Sequence, residues 1–150
     1  DRFLLKIRMG YPTEQEEIEV LRRAESKAPI TTIESVITVH ELIDLQEQVQ
    51  LTHVSDRVKE YIVSIARATR EHPRVYLGVS PRASIALMKA CQAYAFMKNR
   101  DFVTPDDVQY LAPFVFGHRI ILQADARYEG LTTETIMQQV LTKQSVPVGE

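Results

Sequence analysis

Gly78-Val79-Ser80-Pro81-Arg82-Ala83, running on through Leu87, Ala90, Cys91, Tyr94 and Ala95 to Met97, is the stretch whose reading decides the fold. Ser80-Pro81 places a capping hydroxyl before a proline at the first helical position, where its missing N–H costs nothing. The apolar residues behind it recur at helical spacing and cover nearly the whole circumference, as on a central, buried helix. Lys98-Asn99-Arg100-Asp101 closes this helix.

Working outward, the same punctuation repeats. Upstream, Ser55-Asp56 opens a helix with the stripe Val58, Tyr61, Ile62, Ile65 and Ala66, and His72-Pro73 closes it. Arg67 and Arg70 fall in its last turns, where cations are favoured. Arg74 to Gly78 reads as a short strand or loop. Downstream, Thr104-Pro105 repeats the hydroxyl-proline start. Thr13 with Glu16 and Thr38 with Glu41 are capping boxes. Val39, Leu42, Ile43 and Val49 follow the second of them. A last helix starting at Thr132 or Thr133 carries Ile136, Met137, Val140 and Leu141. Ala28 to Val39, β-branched and containing Pro29, reads as an extended connection. The fold class is mainly α, with about six helices and a short extended segment around 74–78.

Composition narrows the function classes. The 150 residues suit one ordinary domain, and 45% hydrophobic with 25% charged is close to a soluble globular average. A net charge of −2 gives no general attraction to nucleic acid or to anionic membrane. One cysteine, Cys91, excludes an intrachain disulfide and a thiolate zinc cluster. Its place on the central apolar stripe marks it as a buried small hydrophobe. His40, His53, His72 and His118 share no metal-ligand spacing, so no metal site is expected. Asp106 and Asp107 resemble a metal pair, but first-turn capping explains them better. There is no apolar run of membrane-spanning length and no signal peptide, and the reading is of a cytoplasmic protein. The opening Asp1, leading directly into Phe3-Leu4-Leu5, reads as a cut in mid-protein.

Taken together, several segments resemble a family. Asp1-Arg2-Phe3 with its apolar run, then Tyr11-Pro12-Thr13 opening a helix, is similar to the junction between core and lid in MoxR-type AAA+ ATPases. Gly78-Val79-Ser80-Pro81-Arg82-Ala83 resembles that family's G-x-S-P-R-A segment, which carries the sensor-2 arginine. Phe102-Val103-Thr104-Pro105-Asp106-Asp107-Val108 and Gly117-His118-Arg119-Ile120 complete the pattern. The resemblance implies that 1–12 end the AAA+ core and link it to the lid, 13–122 form the helical lid, and 123–150 a terminal helix and tail. It implies a nucleotide-binding core in the full-length protein, hydrolysis of ATP with Mg²⁺, a ring that is usually hexameric, and chaperone-like action on a client protein. This chain contains nothing like G-x-x-x-x-G-K-[ST]. Alone it lacks the phosphate cradle and the Mg²⁺ ligands, and no cofactor is expected on it.

Two arginines carry the expected chemistry. Arg82, at the second helical position, opposes the positive end of the helix dipole, at a cost of about 0.3–1 kcal/mol. An anion meeting both its guanidinium and the free N–H groups would offset that cost, and a phosphate suits the geometry. The resemblance makes Arg82 the sensor 2, with Ser80 and Pro81 in the same nucleotide-contacting segment. The alternative is a surface arginine paired with a carboxylate. The resemblance places Arg2 where related rings hold an arginine finger; the alternative is a solvated terminal arginine. His118, Arg119 and Arg127 form a smaller basic cluster, read as loop and helix-end cations or as a contact with nucleotide or a neighbouring subunit.

Two other functions compete. A free-standing helical interaction module explains the helices but not Arg82. A DNA-binding helix-turn-helix around Asn99-Arg100-Asp101 lacks a basic recognition helix.

Overall fold

A computed structural model describes residues 3–25 and 33–147. The chain divides into two compact units, one made of Asp1–Lys6 with Gln46–Glu150, the other of Ile7–Leu45.

The smaller unit contains α1 (Glu14–Ala24) and the start of α2 (Val39–Gln50). Both expected capping boxes form. The Glu16 carboxylate accepts from the Thr13 N–H and hydroxyl, each at 2.8 Å. Glu41 does the same for Thr38, at 2.7 and 2.8 Å. Neither helix has a buried residue, so the stripe Val39, Leu42, Ile43 and Val49 is helical yet encloses no core. Of the expected extended connection, residues 28–32 lie outside the described residues, and 33–38 are non-helical.

The larger unit is a bundle of α3 (Asp56–Glu71), α4 (Pro81–Met97), α5 (Pro105–Phe116) and α7 (Thr133–Lys143). A small antiparallel pair, β1 (Val75–Leu77) and β2 (Ile121–Leu122), sets Val75 opposite Leu122. Seven α-helices occur among the described residues. Six answer the expected starts; α6 (Ala124–Tyr128) does not, because its N-cap Gln123 offers no side-chain cap bond.

Burial follows the periodicity. Val58, Tyr61, Ile62, Ile65 and Ala66 on α3 are all buried, as are Leu87, Ala90, Cys91 and Ala95 on α4. Tyr94, half-buried, lies 5.2 Å from the Tyr110 ring, which meets Phe114 edge-on at 5.7 Å. Ile136, Met137 and Val140 bring α7 into the same core. Each fully buried large apolar side chain, such as Leu87 or Ile136, contributes about 1.5–3 kcal/mol.

Cys91 is fully buried, and burial, with the Asp107 charge adding to it, pushes its thiol up to about 12. A thiol reagent should therefore leave Cys91 unmodified in native protein and label it within minutes after denaturation. Rapid native labelling would show that α4 is not central.

The α4–α5 corner turns at Asn99, whose φ of 55° is in the left-handed region. Thr104 and Asp107 form the capping box that starts α5. Asp107, 3% exposed, also receives Arg100 in a two-pronged contact of 2.6 and 2.9 Å. As expected, Asp106 and Asp107 both stand in the first turn of α5, and for Asp107 the Arg100 pairing adds a second task. Arg100 is thereby turned into its own domain at the place where helix-turn-helix spacing was weighed.

Candidate functional site at the start of α4

Three contacts to the end of α3 fix the turn that delivers α4. A Cβ on Gly78 would come within 2.7 Å of the backbone N and Cα of Arg70, so only glycine lets the chain pass so close. The Val79 N–H donates to Thr69 Oγ1 at 3.1 Å. The Val79 carbonyl accepts from Arg70 Nε at 2.7 Å. Thr69 is fully buried and its hydroxyl donates in turn to the Ala66 carbonyl, while Val79 is 1% exposed. Arg70 thus does more than neutralise a helix end, and Thr69 was invisible in the sequence because a buried threonine has no pattern of its own. Gly78→Ala should cost about 1–3 kcal/mol in a chemical denaturation series, as overpacking against backbone does. A neutral result would mean that the turn can shift.

Ser80 is the N-cap of α4 and Pro81 its first residue, but the Ser80 hydroxyl makes no cap bond. The expected capping hydroxyl is therefore idle, because the Ala83 N–H is already taken by the Ser80 carbonyl at 2.9 Å. Ser80, Pro81 and Arg82 are all exposed. No acid stands in the first turn, and Arg82 has no hydrogen bond or ion pair to any described residue. The surface-arginine alternative, which needed a carboxylate partner, finds none there.

Arg82 instead has a like charge for a neighbour. The Arg119 guanidinium is disfavoured first by burial and then by the charge on Arg82. Arg119 Nη1 donates to the Val115 carbonyl and Nη2 to the Phe3 carbonyl, each at 2.7 Å. His118 Nε2 is 3.2 Å from that same Phe3 oxygen, and its Nδ1 is 3.2 Å from the Phe114 carbonyl. Both residues face carbonyls at the end of α5, as helix-end cations do. Arg127 is elsewhere, lining an open groove with Tyr76, Ile121 and Tyr128. Arg2 lies outside the described residues. Among the described residues no group of three or more His, Cys, Asp or Glu could hold a metal ion, and no helix is long and apolar enough to cross a membrane.

The AAA lid domain family matches residues 67–140, from the end of α3 to α7. The chain is 53% identical over 148 residues to the uncharacterised protein YeaC of Bacillus subtilis (strain 168), covering 99% of the chain and 46% of that protein. It is 32% identical to the chaperone MoxR1 of Mycobacterium tuberculosis, over 98% of the chain and 41% of that protein. A crystal structure from Cytophaga hutchinsonii, of a protein provisionally described as an ATPase, superposes with a TM-score of 0.89 at 29% identity. It matches 98% of the chain and 47% of its own length. The chain spans less than half the length of each of these relatives. Residues 67–140 thus match an AAA lid domain, and the relatives matched along nearly the whole chain include a protein named as a MoxR chaperone.

Proposed function

We propose that this lid supplies Arg82 as a sensor-2 arginine to the phosphates of ATP bound by an AAA+ core in the full-length protein. One observation carries the reading: a helix start held by bonds from Thr69 and Arg70 presents an exposed guanidinium with no ion pair to any described residue, and its charge acts on a second arginine, Arg119. A cation at a helix N-terminus, under the influence of a second cation, is stabilised when a polyanion meets them. The core would provide the phosphate loop and the Mg²⁺ ligands, and Arg82 would couple nucleotide state to lid angle.

Residues 1–12 we assign to the junction with that core, and Arg2 to an arginine finger acting on the next subunit of a hexameric ring. Movement of the ring would remodel a client protein in the cytoplasm. Exposed apolar residues at Tyr76, Leu77, Ile85 and Ile121 support a surface that another domain covers. The test is ATP turnover by the complete protein with Arg82 replaced; loss of turnover on an intact fold supports the reading, and unchanged turnover ends it.

A further inference from the structure

Where β1 and β2 meet α6, the surface carries a positive charge that no described residue offsets. Asp125, Arg127 and Glu129 alternate along α6 and its end. Arg74, just before β1, engages both acids, reaching Asp125 at 3.1 Å and Glu129 at 2.8 Å. Arg127 is left with no hydrogen bond or ion pair to a described residue, and it lines an open groove of about 740 Å³. The rest of that lining is largely apolar. Tyr76 and Tyr128 stand 73% and 92% exposed there, with Ile121 between the two elements.

α1 carries the complementary chemistry. Glu14, Glu17, Ile18 and Leu21 follow the spacing i, i+3, i+4, i+7 and so share one face of the helix. Glu16 is engaged in the capping box and Glu19 by Arg22 and Arg23. The Glu14 and Glu17 carboxylates have no such partner among the described residues. Ile18 and Leu21 are exposed, on a helix that buries no residue. One face of α1 thus presents two unpaired carboxylates followed by two uncovered aliphatic side chains.

We propose that this face of α1 in one copy of the chain docks in the Arg127 groove of a second copy. Glu14 and Glu17 meet Arg127, and Ile18 and Leu21 cover Tyr76 and Tyr128. The match is one of charge and of apolar surface together, and both halves of it lie in the same sequence. Helix face and groove are different surfaces, so the contact is heterologous. Each added copy leaves another groove or another α1 open, and association runs on to a closed ring or a chain instead of ending at a dimer. The contact involves neither ATP nor Arg82, so it and the function proposed above can fail separately.

The experiment is sedimentation velocity of this chain at concentrations up to about 1 mM, where contacts of small area still associate. The average mass should rise with concentration and fall back at high salt. Arg127→Glu should weaken association about tenfold, and so should Glu14→Lys combined with Glu17→Lys. An equimolar mixture of these two variants should recover association, because the intact α1 of the first meets the intact groove of the second. Recovery does not require the lysine-bearing α1 to stay helical, so local unfolding cannot imitate the result. A chain that stays monomeric at every concentration leaves the groove to another occupant and overturns the proposal. Association that either variant leaves unchanged, or that mixing fails to recover, overturns it as well.

Discussion

In the complete protein, Arg82→Ala is expected to lower ATP turnover about 10²-fold while leaving the fold as stable as before or slightly more so. The two halves of that result come from different physics. Arg82 is exposed and bonded to no described residue, so its removal orphans no partner among them. Taking a cation out of the first turn of α4 removes an unfavourable interaction with the helix dipole, worth about 0.3–1 kcal/mol. Catalysis responds in the opposite direction. A preorganised donor aimed at charge developing in a transition state is typically worth about 10²–10³ in rate. The lower end suits a residue that, under the proposed function, would share the phosphates with a core that keeps its own ligands. Arg82→Lys should recover part of the loss, since it keeps the charge but not the two-pronged grip. Steady-state turnover and thermal unfolding of the same preparations check the prediction. A stability loss alongside the activity loss would mean that Arg82 has a structural partner after all.

The second large effect is at Asp107. Asp107→Asn should destabilise the larger unit by about 2–3 kcal/mol at neutral pH, below the 3–5 kcal/mol of a fully buried pair because Arg100 is partly solvated. The substitution removes the charge that holds Arg100 and weakens the cap on the Thr104 N–H, which Asp107 accepts at 2.8 Å. Burial alone would raise the Asp107 carboxyl, but the bonds from Arg100 and from the Thr104 N–H and hydroxyl together hold it below its usual value. A depressed folded-state pKa gives stability that is complete above the unfolded value and is lost as pH falls through the folded one. The gap between wild type and Asp107→Asn should therefore be constant above about pH 5 and shrink below about pH 4. Asp106→Ala, at an exposed position, is the control and should lie within about 0.5 kcal/mol of wild type. Urea denaturation at several pH values measures both, and a pH-independent gap would contradict the charge argument.

How much of this was legible in the sequence depends on whether the signal was local. Thr13, Thr38, Ser55, Thr104 and Thr132 announce helices because a cap and the residues it serves are neighbours in the chain. The core stripes of α3 and α4 are legible for the same reason, as the period lies within one helix. α6 was missed because five residues carry too little period and Gln123 gives no cap signal. The pairing of β1 with β2 was missed because Ile121 and Leu122 acquire meaning only opposite Leu77 and Val75.

The candidate site divides along the same line. Arg82 stood out as a charge of the wrong sign for its position. The neighbours that give it meaning, Thr69 and Arg70 beneath the turn and Arg119 beside it, come from elsewhere in the chain and meet only in three dimensions. The Ser80 hydroxyl shows the opposite failure: its pattern was right, and a backbone carbonyl had already taken the donor. The resemblance to MoxR-type proteins reached the class of the chain, and hydrogen-bond geometry was needed to say what Arg119 does.

The close approach of Gly78 to the Arg70 backbone has a consequence for genetics. A screen for loss of the protein's activity would recover lesions at codon 78 alongside lesions at codon 82, and the two would look alike in phenotype. The first class would map to a residue with no side chain and no chemistry. A temperature-sensitive allele is the form it should take, since added bulk strains the turn without removing any reacting group. Trimming the side chain at position 70 would not suppress such an allele, because the clash is with that residue's backbone and the arginine itself holds the Val79 carbonyl.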